Sequence, residues 1–212
     1  SLGLSGVSAK EKKGLWDLGV DKADAKDLSV MERATVGSAQ VGGLTGQFGG
    51  DITRVGFDSA NMKNIKDSPT AASADSAALQ NGSVAFGDKG TYGALGAGQA
   101  QGLKYGSTSS LESVGVNGVK GSSVGDSLSV DVAGLSADQL RHSADGTRIR
   151  AGSIEASGAS IRSDSKSESL TADSLAMKGL GATIKGDPNG PASAESNVDM
   201  ARLVETGAAR VD

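Results

Sequence analysis

The chain has 212 residues, of which 37% are hydrophobic and 3% aromatic, with 32 glycines and 25 acidic against 21 basic side chains for a net charge of −4. Large side chains are too scarce for an ordinary globular core, while the small charge imbalance and three prolines argue against a disordered chain. Mild acidity with scattered Lys and Arg argues against nucleic acid as a partner, the absence of Cys removes disulfides and thiolate metal sites, and no apolar run approaches the roughly 20 residues of a membrane span.

The chain starts without Met, inside the pattern "SLGLSGVSA", and so reads as a piece of a longer polypeptide. Next, "WDLGVDKADAKDLSV" places Leu18, Val20, Ala23, Ala25, Leu28 and Val30 at steps of two, then three. The same grid holds Ala34, Val36, Ala39, Val41 and Leu44, then Val55, Phe57, Ala60, Met62 and Ile65. Further on it holds Ile149, Ala151, Ile154, Ala156, Ala159 and Ile161, then Leu170, Ala172, Leu175, Met177, Leu180 and Ala182. Neither a helix nor a flat strand gives this period; a strand that bends or bulges every five residues does. Turn-like clusters recur about every 20 residues, among them Gly50-Asp51, Ser68-Pro69-Thr70, Asp88 to Thr91, Gly125-Asp126 and Asp187 to Gly190.

Two stretches, "ATVGSAQVGG" and "ANMKN" at Ala60 to Asn64, resemble pentapeptide-repeat β-solenoids, whose four-sided coil turns a corner every five residues. The resemblance covers fragments of the chain, and Ile149/Ala151 and Leu170/Ala172 reverse its small-then-large order. It implies geometry alone, and none of the family's roles.

A solenoid keeps its phase from coil to coil. Here steps of five from Leu140 reach position 150, where the apolar residue is Ile149, and from Ala159 they reach 169, where it is Leu170. Phase slips at the turns point to hairpins. A turn at Gly50-Asp51 sets Leu44 against Phe57 and Ala39 against Met62. One centred on Lys89-Gly90 sets Phe86 against Gly93, Val84 against Leu95 and Leu79 against Ala100. A loop at Gly106 to Thr108 sets Leu103 against Leu111 and Ala100 against Val114. Gly125-Asp126 sets Val119 against Val132, Val116 against Leu135 and Leu111 against Leu140. A four-residue loop at Ala144 to Thr147 sets Leu140 against Ala151, Ala137 against Ile154, Leu135 against Ala156, Val132 against Ala159 and Val130 against Ile161. Asp164 to Ser167 then sets Ile161 against Leu170, Ala156 against Leu175, Ile154 against Met177 and Ala151 against Leu180.

The expected fold is all-β: a repetitive meander of about ten long antiparallel strands, bent every five residues into a solenoid-like or U-shaped stacked sheet. A right-handed parallel β-helix with about 20 residues per coil is the alternative of the same period. Residues 1–186 form one repetitive β-domain. Residues 187–212 are a C-terminal loop, in which Ser196 or Asn197 as N-cap, Met200, Leu203 and Val204, and Gly207 as C-cap suit a short helix that would cover the last strand. Small inner residues suggest walls that meet and leave no channel.

No residue qualifies as catalytic, cofactor-binding or metal-binding. His142 is the only histidine, which leaves no partner for a His-pair metal site, and it reads as a strand-end residue. Asp21, Asp24 and Asp27 alternate with lysines and lack the Gly and Glu of a calcium loop, so they read as solvated strand residues. "GALGAG" at Gly93 to Gly98 lacks the Lys-Ser/Thr and strand-to-helix context of a phosphate loop. Trp16 reads as an end-cap of the core, with a docking contact as the other option.

The expected function is non-enzymatic, with no cofactor: a structural repeat segment (stalk, spacer or scaffold) of a larger secreted or particle-associated bacterial or phage-related protein, extracellular or on a particle. Its partners would be other parts of its own longer chain or other protein subunits, with no nucleic acid and no membrane span, and with self-association through edge strands. The alternative is a carrier of lipid or another hydrophobic ligand in a groove on the same curved sheet.

Overall fold

A computed structural model describes residues 1–30, 33–144, 146–165 and 167–184. The proposed terminal helix and the rest of 187–212 lie outside the described residues. Twelve strands make one sheet: β1 (Leu2–Lys12), β2 (Leu15–Val30), β3 (Ala34–Phe48), β4 (Ile52–Asp67), β5 (Ala72–Gly87), β6 (Gly90–Tyr105), β7 (Ser109–Val124), β8 (Ser127–Ala144), β9 (Thr147–Ser163), β10 (Glu168–Thr171), β11 (Ser174–Lys178) and β12 (Gly181–Ile184). β1 to β9 pair in chain order, and β10, β11 and β12 all pair with β9 as one interrupted strand. The result is a meander of ten long tracks in an open sheet, consistent with a solenoid-like or U-shaped stack. Every ladder is antiparallel, which overturns the parallel β-helix alternative. Turns of two to four residues reverse the chain too soon for a parallel crossover, which needs a dozen or more residues.

Most inferred registers hold. Ala39 faces Met62, Leu103 faces Leu111, Val116 faces Leu135, Leu140 faces Ala151, and Ile154 faces Met177. The four-residue loop at Ala144 to Thr147 is tighter, because Ala144 and Thr147 themselves pair, but the register is unchanged. The β5–β6 register differs from expectation by two residues. Gly87 pairs with Gly90, so the turn is Asp88-Lys89, and Phe86 faces Thr91, Val84 faces Gly93 and Leu79 faces Gly98. Packing fits this register: the space a Cβ on Gly98 would need is bounded by the side chains of Leu79, Val116 and Leu95. Large residues thus sit against glycine, an arrangement that fills space without overpacking.

The bends also differ from one per five residues. Each full-length strand has two corners six residues apart, such as Asp21 and Asp27 in β2, Gly37 and Gly43 in β3, Asp58 and Asn64 in β4, and Gly152 and Gly158 in β9. At these positions the ladder skips: Ser5 pairs with Lys22 and Val7 with Val20, but Gly6 and Asp21 do not pair. The second corner of every strand has left-handed φ: Gly6 (62°), Asp27 (53°), Gly43 (64°), Asn64 (54°), Asn81 (53°), Gly102 (63°), Gly118 (59°), Gln139 (54°) and Gly158 (60°), with Gly179 (63°) closing the series after β11. Both strands of a ladder lose one residue at the same row, so the register survives each corner. Two straight steps of two, joined by a step of three across a corner, give the five-residue grid.

The corner at Gly6 recurs at Gly43, Asn81, Gly118 and Gly158, so the repeating unit is a two-strand hairpin of 37 to 40 residues. Across the sheet the inward positions line up in rows. One central row runs Leu2, Ala25, Ala39, Met62, Ala77, Ala100, Val114, Ala137, Ile154 and Met177. The opposite face carries Ser, Gln, Lys, Asn and Asp, as expected where only one side of an antiparallel sheet is apolar. Among the described residues the buried apolar side chains are Val36, Ala60 and Ala151. The walls therefore do not meet as the small inner residues suggested, and order comes chiefly from the backbone ladders and same-face neighbours.

Glycine at these corners has a clear role where a neighbour occupies the missing side chain's place. The carboxylate of Asp173 stands where a Cβ on Gly158 would be, and that of Asp58 does so at Gly43. A Gly158→Val variant is expected to lose about 1–3 kcal/mol from backbone strain and displacement of Asp173. Conversely, Gln139→Gly removes a non-glycine left-handed residue and is expected to gain up to about 1 kcal/mol. Urea unfolding midpoints of the two variants check both signs.

Candidate functional site

The side chains singled out in the sequence do not converge. Asp21 and Asp27 occupy the two corners of β2, while Asp24 lies on the polar face between them. Gln40 Nε2 donates to Asp24 Oδ1 at 2.8 Å and Lys22 Nζ lies 2.9 Å from its Oδ2, so this carboxylate serves cross-strand and same-strand pairing. Among the described residues no cluster of three or more His, Asp or Glu side chains is grouped to hold a metal. Gly93 to Gly98 lies inside β6 and precedes no helix, so its N–H groups form no phosphate cradle of the strand-to-helix kind.

His142 lies two residues from the end of β8, part-buried, with Nδ1 hydrogen-bonded to Ser109 Oγ at 2.8 Å. Its cross-strand neighbours are Ser109 and Ile149. Neither is a carboxylate, so among the described cross-strand neighbours the Ser–His contact has no third group that would orient and charge-stabilise the ring. It is a cross-strand contact at the sheet margin. Trp16 is 51% exposed, between Glu11 and Phe48, and caps no core. The expected cap fails because a one-layer sheet has no enclosed end for a ring to close.

The register brings together what the sequence scatters. Lys66, Ser73, Lys104, Ser110, Arg141 and Arg150 occupy one row of the polar face. Lys66, Lys104 and Arg141 are 38 and 37 residues apart, the two-strand period, and that spacing is the sequence signal that would have found them. Beside the row lies an open hollow of about 950 Å³, lined by Lys104, Ser109, Arg141, His142 and Arg148 among others. On the apolar side Ile65, Ala74, Leu103, Leu111, Leu140 and Tyr105 line a shallower hollow of about 390 Å³. The larger hollow holds the Ser109–His142 contact beside Lys104, Arg141 and Arg148, and among the described residues no Asp or Glu lines it. Among the described residues no helix is long and apolar enough to cross a membrane.

Electrostatics on the polar face serve pairing between strands. Arg162 donates through Nη2 to Asp131 Oδ1 at 2.7 Å and through Nη1 to the carbonyls of Ile161 and Val130 at 3.0 and 3.3 Å. The Arg162 hydrogen bond holds the Asp131 carboxyl below its ordinary value; slight desolvation opposes this, and Ser160 and Lys120 add to the lowering. The Asp24 carboxyl is lowered likewise, first by Gln40 and then by Lys22. A depressed carboxyl favours the folded state above its unfolded pKa, and that contribution disappears as pH falls through the folded value. In a carboxyl-resolved NMR titration Asp131 is therefore expected to titrate below an unpaired aspartate, and Arg162→Ala to raise its midpoint back toward the ordinary value.

No family model matches the chain, and neither a curated protein nor a solved structure is similar to it, so any functional reading rests on the geometry of this sheet.

Proposed function

We propose that the chain is a structural repeat segment, a spacer or scaffold without catalytic activity, within a larger assembly. The observation that carries this is the stacking of two-strand hairpins in one phase, with each strand touching only its neighbours in the meander. Architectures of this kind extend by adding units, and they supply length and surface more readily than an enclosed pocket. A secreted or particle-borne bacterial or phage-related parent suits a Cys-free, aromatic-poor repeat.

Repeat phase gives a sharp test. Removing residues 68–105 joins Asp67 to Gly106 and takes out one two-strand unit, so that Asp67 would face Ser109 in the row they already share through Ala72 and Tyr105. This deletion is expected to keep the β-sheet circular dichroism and cooperative unfolding at reduced stability. Removing one strand of the unit reverses the polarity of all that follows and is expected to abolish folding. Small-angle scattering should give a radius of gyration well above the roughly 17 Å of a compact 212-residue globule.

A second reading has its own support. The apolar face is incompletely covered, with Val84, Leu135 and Leu175 all exposed, and the 390 Å³ hollow is lined mainly by apolar side chains. Such a face suits a carrier of lipid or another hydrophobic ligand. Mass spectrometry of an organic extract of the purified protein separates the two: stoichiometric co-purifying lipid favours the carrier, and its absence the scaffold.

A further inference from the structure

Among the described residues, the two outer edges of the sheet are complementary. At every even-to-odd junction inside the chain, an ordinary corner residue lies opposite a left-handed one: Asp21 by Gly43, Asp58 by Asn81, Gly96 by Gly118 and Ala133 by Gly158. The final track offers Asp173, with ordinary φ, at this corner, and β1 offers Gly6 at +62°. The tenth track also runs antiparallel to the first, because ten is even. The last edge of one copy and the first edge of another therefore reproduce the internal junction in both direction and corner type.

Side chains follow the same register. With Gly6 of a second copy opposite Asp173, Leu2 faces Met177, Leu4 faces Leu175, Val7 faces Ala172 and Ala9 faces Leu170, all in the rows that carry apolar residues inside the chain. On the other face Ser5 meets Ser174, Ser8 meets Thr171 and Lys10 meets Ser169. Only Glu11 against Glu168 opposes like charges, at the exposed margin. Among the described residues no strand pairs with the outer side of β1: every residue in it is exposed, with Leu2 at 72% and Val7 at 67%, and it contains no proline. Ser1 spends both its N and its O on Lys26, so by antiparallel alternation Leu2 and Leu4 turn their N–H and C=O groups to the open side. An edge of this kind is a template for another strand.

We infer that β1 of one copy adds to the β10–β11 edge of a second copy, head to tail, and continues the meander as an open-ended stack. Pairing β1 with another β1 would set Gly6 against Gly6, two left-handed corners in one row, which no internal junction does. A head-to-tail contact does not close on itself, and each copy would extend the stack by about 48 Å, ten strands at ~4.8 Å. The contact rests on the repeat-scaffold reading and makes that scaffold self-extending; a compact scattering profile would sink the reading itself, whereas the cross-links below address the contact alone.

The chain has no native cysteine, so cross-linking reports only introduced pairs. Ser5→Cys and Ser174→Cys chains, mixed at equal concentration under mild oxidation, are expected to form mixed disulfide dimers at least about tenfold faster than Ser8→Cys mixed with Ser174→Cys. That offset pair is three residues out of register, about 10 Å, beyond disulfide reach. A chain carrying both Ser5→Cys and Ser174→Cys should give a ladder of multimers. Ser174 Oγ lies 2.6 Å from Ser157 Oγ; should its replacement disturb the fold by circular dichroism, Ser8→Cys with Thr171→Cys, one polar row away, replaces it as the matched pair. Equal rates for matched and offset pairs, or faster dimerisation of Ser5→Cys alone than of the mixture, overturns the contact, as does a concentration-independent monomer in sedimentation of the unmodified chain.

Discussion

The sheet depends on one constraint: wherever a strand turns a corner, its neighbour must turn at the same row. A one-sided bulge would add a residue to one strand, shift the register beyond it and send every later side chain to the wrong face. Here Gly6 drops out of the ladder with Asp21, Gly43 with Asp58, and Gly158 with Asp173, so the loss is matched and the register continues. Corners six positions apart leave five residues per straight panel, with two inward positions in each, and the apolar grid follows from that spacing. One left-handed corner per strand, the second wherever a strand has two, keeps successive hairpins superposable.

A sheet organised this way can remain one layer thick. Ala, Gly and Val in the inward rows offer little area to bury, and an inner residue as well covered as Ala151, at 3% exposure, is rare. Few buried polar groups go unmet, since the ladders pair most of the backbone. The polar face adds cross-strand contacts such as Gln47 to Asp17, Ser113 to Asp138 and Arg162 to Asp131, each individually modest at an exposed surface. Stability is thus distributed over rows, and no central residue holds the fold.

Strand number, direction and most registers were legible because turn chemistry and the apolar grid agree at Gly125-Asp126 and at Asp164 to Ser167. The β5–β6 register was not, and the reason is geometric. A slip of two residues keeps every side chain on its face, so hydrophobicity cannot tell Leu79 opposite Ala100 from Leu79 opposite Gly98; the choice lies in the Asp88-Lys89 turn and the fit against glycine. Corner positions were legible in part, at glycines between grid positions such as Gly37, Gly43, Gly152 and Gly158, and the others were hidden for a different reason. Their occupants include Asp, Glu, Asn, Gln, Ala and Gly, whose shared property is tolerance of an interrupted ladder, and no single residue type marks the row. The row from Lys66 to Arg150 is likewise visible only after the registers are known, and the role expected of Trp16 assumed a closed core that a one-layer sheet does not have.

The serial connectivity has a mechanical consequence. A load applied across the stack, from β1 toward the final track, passes through every ladder in turn, so the least continuous one sets the breaking force. That is the ladder joining β9 to β10, β11 and β12, interrupted at 172–173 and at 179–180. A load along the strands instead divides among the many rungs of each ladder, as in shear of a laminate. The same hydrogen bonds thus give a material that is strong along its strands and parts readily between its layers.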